Sequence, residues 1–213
     1  MSDGATIYAG EPLQTYLDDA ASKKPAPGGG SVSACVGALG AALVSMVCNL
    51  TRGREKFAAV QEEIETLVEQ SEWARAALES LLQQDTVAYD GVIAAYRLPK
   101  DTAEQQAART AAVQAGLIVA ADVPLEICRV GVQVCRLATI AAQLGNPQAV
   151  TDAGIGALLG EAAVQGGALN VKINLASIKD EEYVRATTAE LQGLLAEAAS
   201  LRTEALAITL AKL

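Results

Sequence analysis

A carboxylate that interrupts an apolar seam, two amides one helical turn apart, a run of three glycines and a short basic cluster are the groups in this chain equipped for chemistry. Asp85 falls on a heptad seam of Val60, Ile64, Leu67, Ser71, Ala74, Leu78, Leu81, Asp85, Ala88, Val92 and Ala95, so its carboxylate is either buried to fix register or lines a cavity. Partial burial raises a carboxyl pKa and suits it to proton transfer. Asn170 and Asn174 are four residues apart and present two amides from one helix face, to a ligand or to a neighbouring helix. Asp152 is a second candidate carboxylate, although its place at a helix start also suits a cap. Histidine is absent, which removes the commonest general base and metal ligand. Catalysis must therefore use carboxylates, amides, lysines or hydroxyls.

Pro25-Ala26-Pro27-Gly28-Gly29-Gly30-Ser31 stiffens the approach to a helix, then strips the backbone of side chains. With Ser31 as the expected cap, Gly28, Gly29, Gly30 and Ser31 form a cradle for an anion or other ligand, or a plain linker and cap. The segment lacks the spacings of nucleoside-triphosphate and dinucleotide loops. Beyond it, Val32 to Leu50 carries no charge, and Ser33, Gly37, Ala41, Ser45 and Asn49 recur every four residues as a small-residue stripe for close helix packing. The stripe is expected to carry the Asn49 amide to the end of a packed face. Arg52, Arg54 and Lys56 follow as the one compact basic group beside that helix, either an anion grip or a solvated loop.

The elements that must position these groups are long helices. The punctuation predicts a short helix from Pro12 to about Ala21, the glycine-led helix, and a third from about Phe57 to Tyr96. A fourth, capped by Asp101 or Thr102 with Glu104 near the capping-box position, runs to Gln143 or Leu144 with a bend at Pro124. Thr151-Asp152 is expected to cap a fifth helix containing Gly154, Gly156, Gly160, Gly166 and Gly167, and Asp180 a sixth, amphipathic one to about Leu210. Five glycines in one helix imply close contact with a neighbour, a subunit or a ligand. No strand alternation or fixed repeat is present. The expectation is one all-α domain over residues 1–213, a bundle of long helices with short loops.

Composition narrows the partners. A net charge of −9 without a basic block argues against nucleic acid and acidic membrane surfaces. Cys35, Cys48, Cys128 and Cys135 have no metal-site spacing and read as reduced core thiols of a cytoplasmic protein. Met1-Ser2-Asp3-Gly4 lacks the start of an export signal. Val32 to Leu50 is long enough to span a bilayer, but its small residues, Asn49 and the lack of a comparable second segment favour a buried helix.

Several landmarks in order resemble the formiminotransferase-cyclodeaminase C-terminal family, which includes stand-alone bacterial methenyltetrahydrofolate cyclohydrolases. They are Pro25 to Ser31, Cys48-Asn49-Leu50-Thr51, Asp85 with Tyr89, Leu98-Pro99-Lys100, Val123-Pro124-Leu125, Gly145-Asn146, Asp152-Ala153-Gly154, and Asn170 through Asn174. Ala42 to Thr51 is especially similar to the cyclohydrolases of methylotrophic bacteria. Thr151 replaces a more usual Ser, and Arg54-Glu55-Lys56 replaces a more basic run. The resemblance implies a homodimer that binds a reduced folate without metal or other cofactor, with folate contacts around the cradle and at the polar positions above. It implies hydrolysis of 5,10-methenyltetrahydrofolate to 10-formyltetrahydrofolate, with formiminotetrahydrofolate cyclodeamination as the rival activity and a non-catalytic folate-binding dimer as a third reading. For such a reaction Asp85 leads and Asp152 is second as base and charge stabiliser. Asn49, Asn170 and Asn174 would hold the pterin or water, and Arg54 and Lys56 with Arg52 the glutamate tail.

Overall fold

The computed structural model describes residues 7–213, so Met1 to Gly4 lie outside the described residues. Every regular element among them is helical: α1 (Leu13–Ala20), α2 (Gly29–Asn49), α3 (Gln61–Tyr96), α4 (Ala103–Leu144), α5 (Val150–Leu175) and α6 (Glu181–Ala211), with three short 3-10 segments. The third helix is entered through one of these, Glu55–Val60, so its α-helical part begins later than Phe57. Thr102 caps α4, and the reciprocal partner is Gln105, not Glu104. Gln105 wins because it stands at N3, the position from which a side chain reaches back to the cap amide. Asp180 caps α6 by accepting from the Tyr183 amide.

Glycine pairs set the spacing of the core. Helix α5 runs antiparallel to α2, with Gly156 against Gly40 and Val44, and Gly166 against Ser33. On its other side α5 runs antiparallel to α4, with Gly160 facing Gly131 and Cys135, and Gly167 facing Cys128 and the Pro124 carbonyl. The glycine content of α5 is thus explained by close approach to α2 and α4, with Gly154 facing Thr209 of α6. A Cβ on Gly160 would stand 2.9 Å from the Cys135 Sγ and 3.1 Å from the Gly131 carbonyl oxygen. Gly160→Ala is therefore expected to destabilise the protein by about 1–3 kcal/mol despite alanine's higher helix propensity, read as a lower urea midpoint at unchanged m.

The seam expected on α3 is the one it buries: Ile64, Leu67, Ser71, Ala74, Leu78 and Leu81 are all buried, and Ser71 shares a 2.8 Å hydrogen bond with Ser45 of α2. Helix α6 lies parallel to α4 in a heptad ladder. Asp122 pairs with Tyr183, Arg129 with Glu190, Arg136 with Glu197 and Gln143 with Glu204. These contacts are solvated and fix register more than they stabilise. Cys48, Cys128 and Cys135 are buried, and burial pushes their thiols up, to about 11 for Cys48 and about 12 for the other two.

Among the described residues two helices, not one, are long and apolar enough to cross a membrane: α2 and α4. The second was not anticipated, because its apolar window is bracketed by the polar ends of a 42-residue helix. Both pack within the bundle, where each contributes a dozen or more buried residues.

Candidate functional site

A cavity of about 320 Å³ opens where the N-terminus of α2, the middle of α3, Ala120 of α4 and the C-terminal part of α5 converge. Gly28 and Gly29 form one edge, Asp85, Thr86 and Tyr89 another, and Asn170, Ile173 and Asn174 a third. Among the described residues Asp85 is the single charged one in this wall. The volume is at the small end of the range for organic ligands.

The cradle is built differently from the expected serine cap. Gly28 is the N-cap and Ser31 lies inside the first turn. One of the free amides of that turn is satisfied from outside: the Ser31 N–H donates to Oδ2 of Asp85 at 2.8 Å. A carboxylate on another helix thus caps α2, the arrangement that a helix dipole favours. The Ser31 hydroxyl turns away into the core and shares a 3.0 Å hydrogen bond with the Tyr16 hydroxyl of α1, whose phenol burial pushes up to about 12. Gly30 sits beneath the carboxylate, and any Cβ there would overlap Asp85. Gly30 is thus a consequence of where Asp85 must be, while Gly28 and Gly29 form the open ligand edge.

Burial raises the Asp85 pKa above its usual 3.8, and the Ser31 amide pulls in the opposite direction without reversing the shift. The carboxylate is half-buried, with one oxygen engaged. The two asparagines are also partly committed. Asn174 donates both Nδ2 hydrogens, to the Ala120 carbonyl at 2.7 Å and the Asn170 carbonyl at 2.9 Å. Its Oδ1 remains as an acceptor. Asn170 donates to the Gly166 carbonyl at 2.9 Å, and its amide lies against Gly29.

Of the residues singled out in the sequence, Gly28, Gly29, Asp85, Asn170 and Asn174 share this cavity, with Gly30 and Ser31 directly behind Asp85. Asn49, Arg54, Lys56 and Asp152 do not. Helix α2 has 21 residues and spans about 30 Å, which places Asn49 and the following basic residues at the opposite end of the bundle. Asn49 is exposed there, not packed, because the helix ends at that residue. Arg52 pairs with Glu65 at 2.6 Å, and Lys56 lies 4.6 Å from the centre of the Phe57 ring. Asp152 stands in the first turn of α5 at this same far end. Neither it nor Thr151 is the cap, since the helix begins at Val150 behind Ala149, after the turn that Asn146 closes.

Two landmark segments at the far end are structural. Thr51 Oγ1 accepts from the Asn146 amide at 2.8 Å, and Asn146 Nδ2 reaches the Leu50 carbonyl, tying the end of α2 to the α4–α5 connection. Thr86 and Tyr16 were not legible as site residues. Tyr89 was legible only as a landmark of the family resemblance, beside Asp85. Among the described residues no cluster of three or more His, Cys, Asp or Glu side chains is placed to hold a metal.

The family model for formiminotransferase-cyclodeaminase matches residues 12–193, and the chain belongs to that family. It is 45% identical over 191 residues to a methenyltetrahydrofolate cyclohydrolase of Methylorubrum extorquens, covering 90% of this chain and 92% of that protein. It is 37% identical to the formimidoyltransferase-cyclodeaminase of Rattus norvegicus, covering 87% of this chain but 34% of the much longer rat protein. The crystal structure of a formiminotetrahydrofolate cyclodeaminase from Thermotoga maritima superposes with a TM-score of 0.85 at 31% identity, covering 94% of this chain and 96% of that one.

Proposed function

We propose that this protein hydrolyses 5,10-methenyltetrahydrofolate to 10-formyltetrahydrofolate in the Asp85 cavity. The observation that carries the site is a single half-buried carboxylate, raised in pKa and held by the first turn of α2, in an otherwise uncharged wall. The likeness to the Methylorubrum cyclohydrolase along nearly the whole of both chains supports the activity.

The substrate is a cation whose bridging carbon is already electrophilic, so no nucleophilic side chain is required. Asp85 stabilises that positive charge and removes a proton from the attacking water. The new C–O bond gives a tetrahedral adduct. Asp85 then returns its proton to N5 as the C–N5 bond breaks, and the adduct hydroxyl loses its proton to solvent to leave the N10 formyl group. Asn170 and Asn174 hold the pterin edge. No other cofactor enters this scheme.

The test is loss of the methenyl absorbance on adding protein at neutral pH, with the formyl product identified. Failure to exceed the buffer rate rejects the proposal. The likeness to the Thermotoga structure favours a second activity, cyclodeamination, which ammonia release from formiminotetrahydrofolate would reveal.

The working unit in this reading is a homodimer. The outward faces of α2 and α5 lie side by side and are apolar: Val32, Leu39, Met46 and Leu50 on one, Ile155, Leu158, Leu169 and Ile173 on the other. Helix α2 carries no charge at all. The face is about 30 Å long and about 20 Å wide, of the order of a standard interface of about 800 Å² per partner. Ile173, 71% exposed, belongs both to this face and to the cavity wall. Antiparallel pairing of α2 with its copy would set the Asn49, Arg54 and Lys56 end of one protomer beside the cavity of the other, bringing cations to an anionic glutamate tail that the cavity wall itself cannot match. Leu39→Glu, at the middle of the face, is expected to give a monomer by sedimentation and at least a tenfold loss of activity. A monomer with full activity would reject the shared-site reading.

A further inference from the structure

Thr86 has a feature that neither the bundle nor the hydrolytic scheme accounts for. It is 5% exposed, it forms part of the cavity wall beside Asp85, and its Oγ1 is buried with no hydrogen-bond partner among the described residues. A helical threonine can return its hydroxyl to the carbonyl one turn back, as Thr66, Thr110, Thr139, Thr203 and Thr209 do here. Leaving a buried hydroxyl unpaired is costly, so Thr86 calls for a partner from outside the bundle.

The remaining wall groups indicate what that partner is. The free oxygens of Asp85 and Asn174 are acceptors, because both Asn174 hydrogens are spent on backbone carbonyls. They suit the ring N–H and amino donors of a pterin and cannot serve its ring carbonyl. Among the described wall residues, Asn170 keeps one Nδ2 hydrogen at the Gly29 edge and Tyr89 carries the other hydroxyl, 42% exposed at the mouth, so Thr86 is the donor buried beside Asp85.

We propose that the Thr86 hydroxyl is a substrate-binding donor that hydrogen-bonds the ring carbonyl oxygen of the bound pterin and so selects for an oxo-pterin. This rests on the folate reading of the cavity. The contact exists in ground and transition states alike, so its loss acts on binding and KM more than on kcat.

The test compares wild type, Thr86→Val and Thr86→Ser for calorimetric binding of 5-formyltetrahydrofolate, for KM and kcat, and for thermal stability. Valine keeps the shape and removes the hydroxyl. The expected result is roughly tenfold weaker binding and a similar rise in KM for Thr86→Val, with kcat within a few-fold, unfolding at or above the wild-type temperature, and recovery in Thr86→Ser. Binding and KM within twofold of wild type in Thr86→Val overturn the proposal. So does a fall in kcat alone, which would place the hydroxyl on the water, or a fall in stability, which would give it a structural partner. Binding by the wild type without turnover would reject the proposed reaction but leave the Thr86 comparison decisive. Absence of wild-type binding would reject the folate reading and this proposal with it.

Discussion

Asp85→Asn is expected to fold normally and to lose about 10²–10⁴ in kcat, the range over which a positioned general base contributes. Asparagine keeps the shape and an oxygen able to accept from the Ser31 amide, so the contact at the α2 N-terminus survives while the charge and the base are lost. The pH dependence separates this from a packing effect. Burial raises the Asp85 pKa above 3.8, so turnover should fall as pH drops through that raised value, earlier than for an ordinary carboxylate. The sign for stability is opposite. Between 3.8 and the raised value the folded state binds more protons than the unfolded state, so this group's contribution to stability declines as pH rises through the window and is fully lost above it. Asp85→Asn removes that decline, and at neutral pH the variant should be at least as stable as wild type. Equal turnover by wild type and variant would make Asp85 structural.

Gly30→Ala should be nearly as damaging by a different route. A Cβ at this position would lie 2.6 Å from Asp85 Cγ and 2.8 Å from its Oδ2, so the carboxylate must leave its place on α2. About a hundredfold loss of activity is expected, because displacing the base by an ångström removes its alignment, along with about 1–3 kcal/mol of stability from overpacking. Gly28→Ala is the control for folding. Nothing lies within 4 Å of a Cβ there, and the backbone at φ −103° admits alanine, so its unfolding temperature should match wild type. Wild-type activity in Gly30→Ala would show that Asp85 need not occupy its observed position.

The helices were legible because the seam of α3 keeps one period from Ile64 to Ala95 and prolines and glycines mark its neighbours. That periodicity also exposed Asp85 as a polar residue at an apolar position, the strongest local signal in the chain. Asn170 and Asn174 were legible as a pair because one helical turn separates them. What periodicity does not carry is which ends of antiparallel helices meet. Asn49 and Asn170 look alike in sequence, yet α2 places the first about 30 Å from the cavity and α5 places the second inside it. Arg54, Lys56 and Asp152 were grouped with the site for the same reason. The capping by Asp85 was hidden because its donor and acceptor are 54 residues apart. Thr86 gave no signal, since a threonine one residue off a seam is ordinary until its hydroxyl is found unpaired.

The account stands on one cavity being the folate site with Asp85 as its base, and a crystal structure of the complex with 5-formyltetrahydrofolate tests this most directly. The expected result is the pterin ring inside the cavity, its donor edge on Asn174, its carbonyl on Thr86, and the one-carbon substituent within reach of Asp85 directly or through one water. A folate bound elsewhere, for example wholly at the Asn49 and Arg54 end of a single protomer with the Asp85 cavity empty, would contradict it.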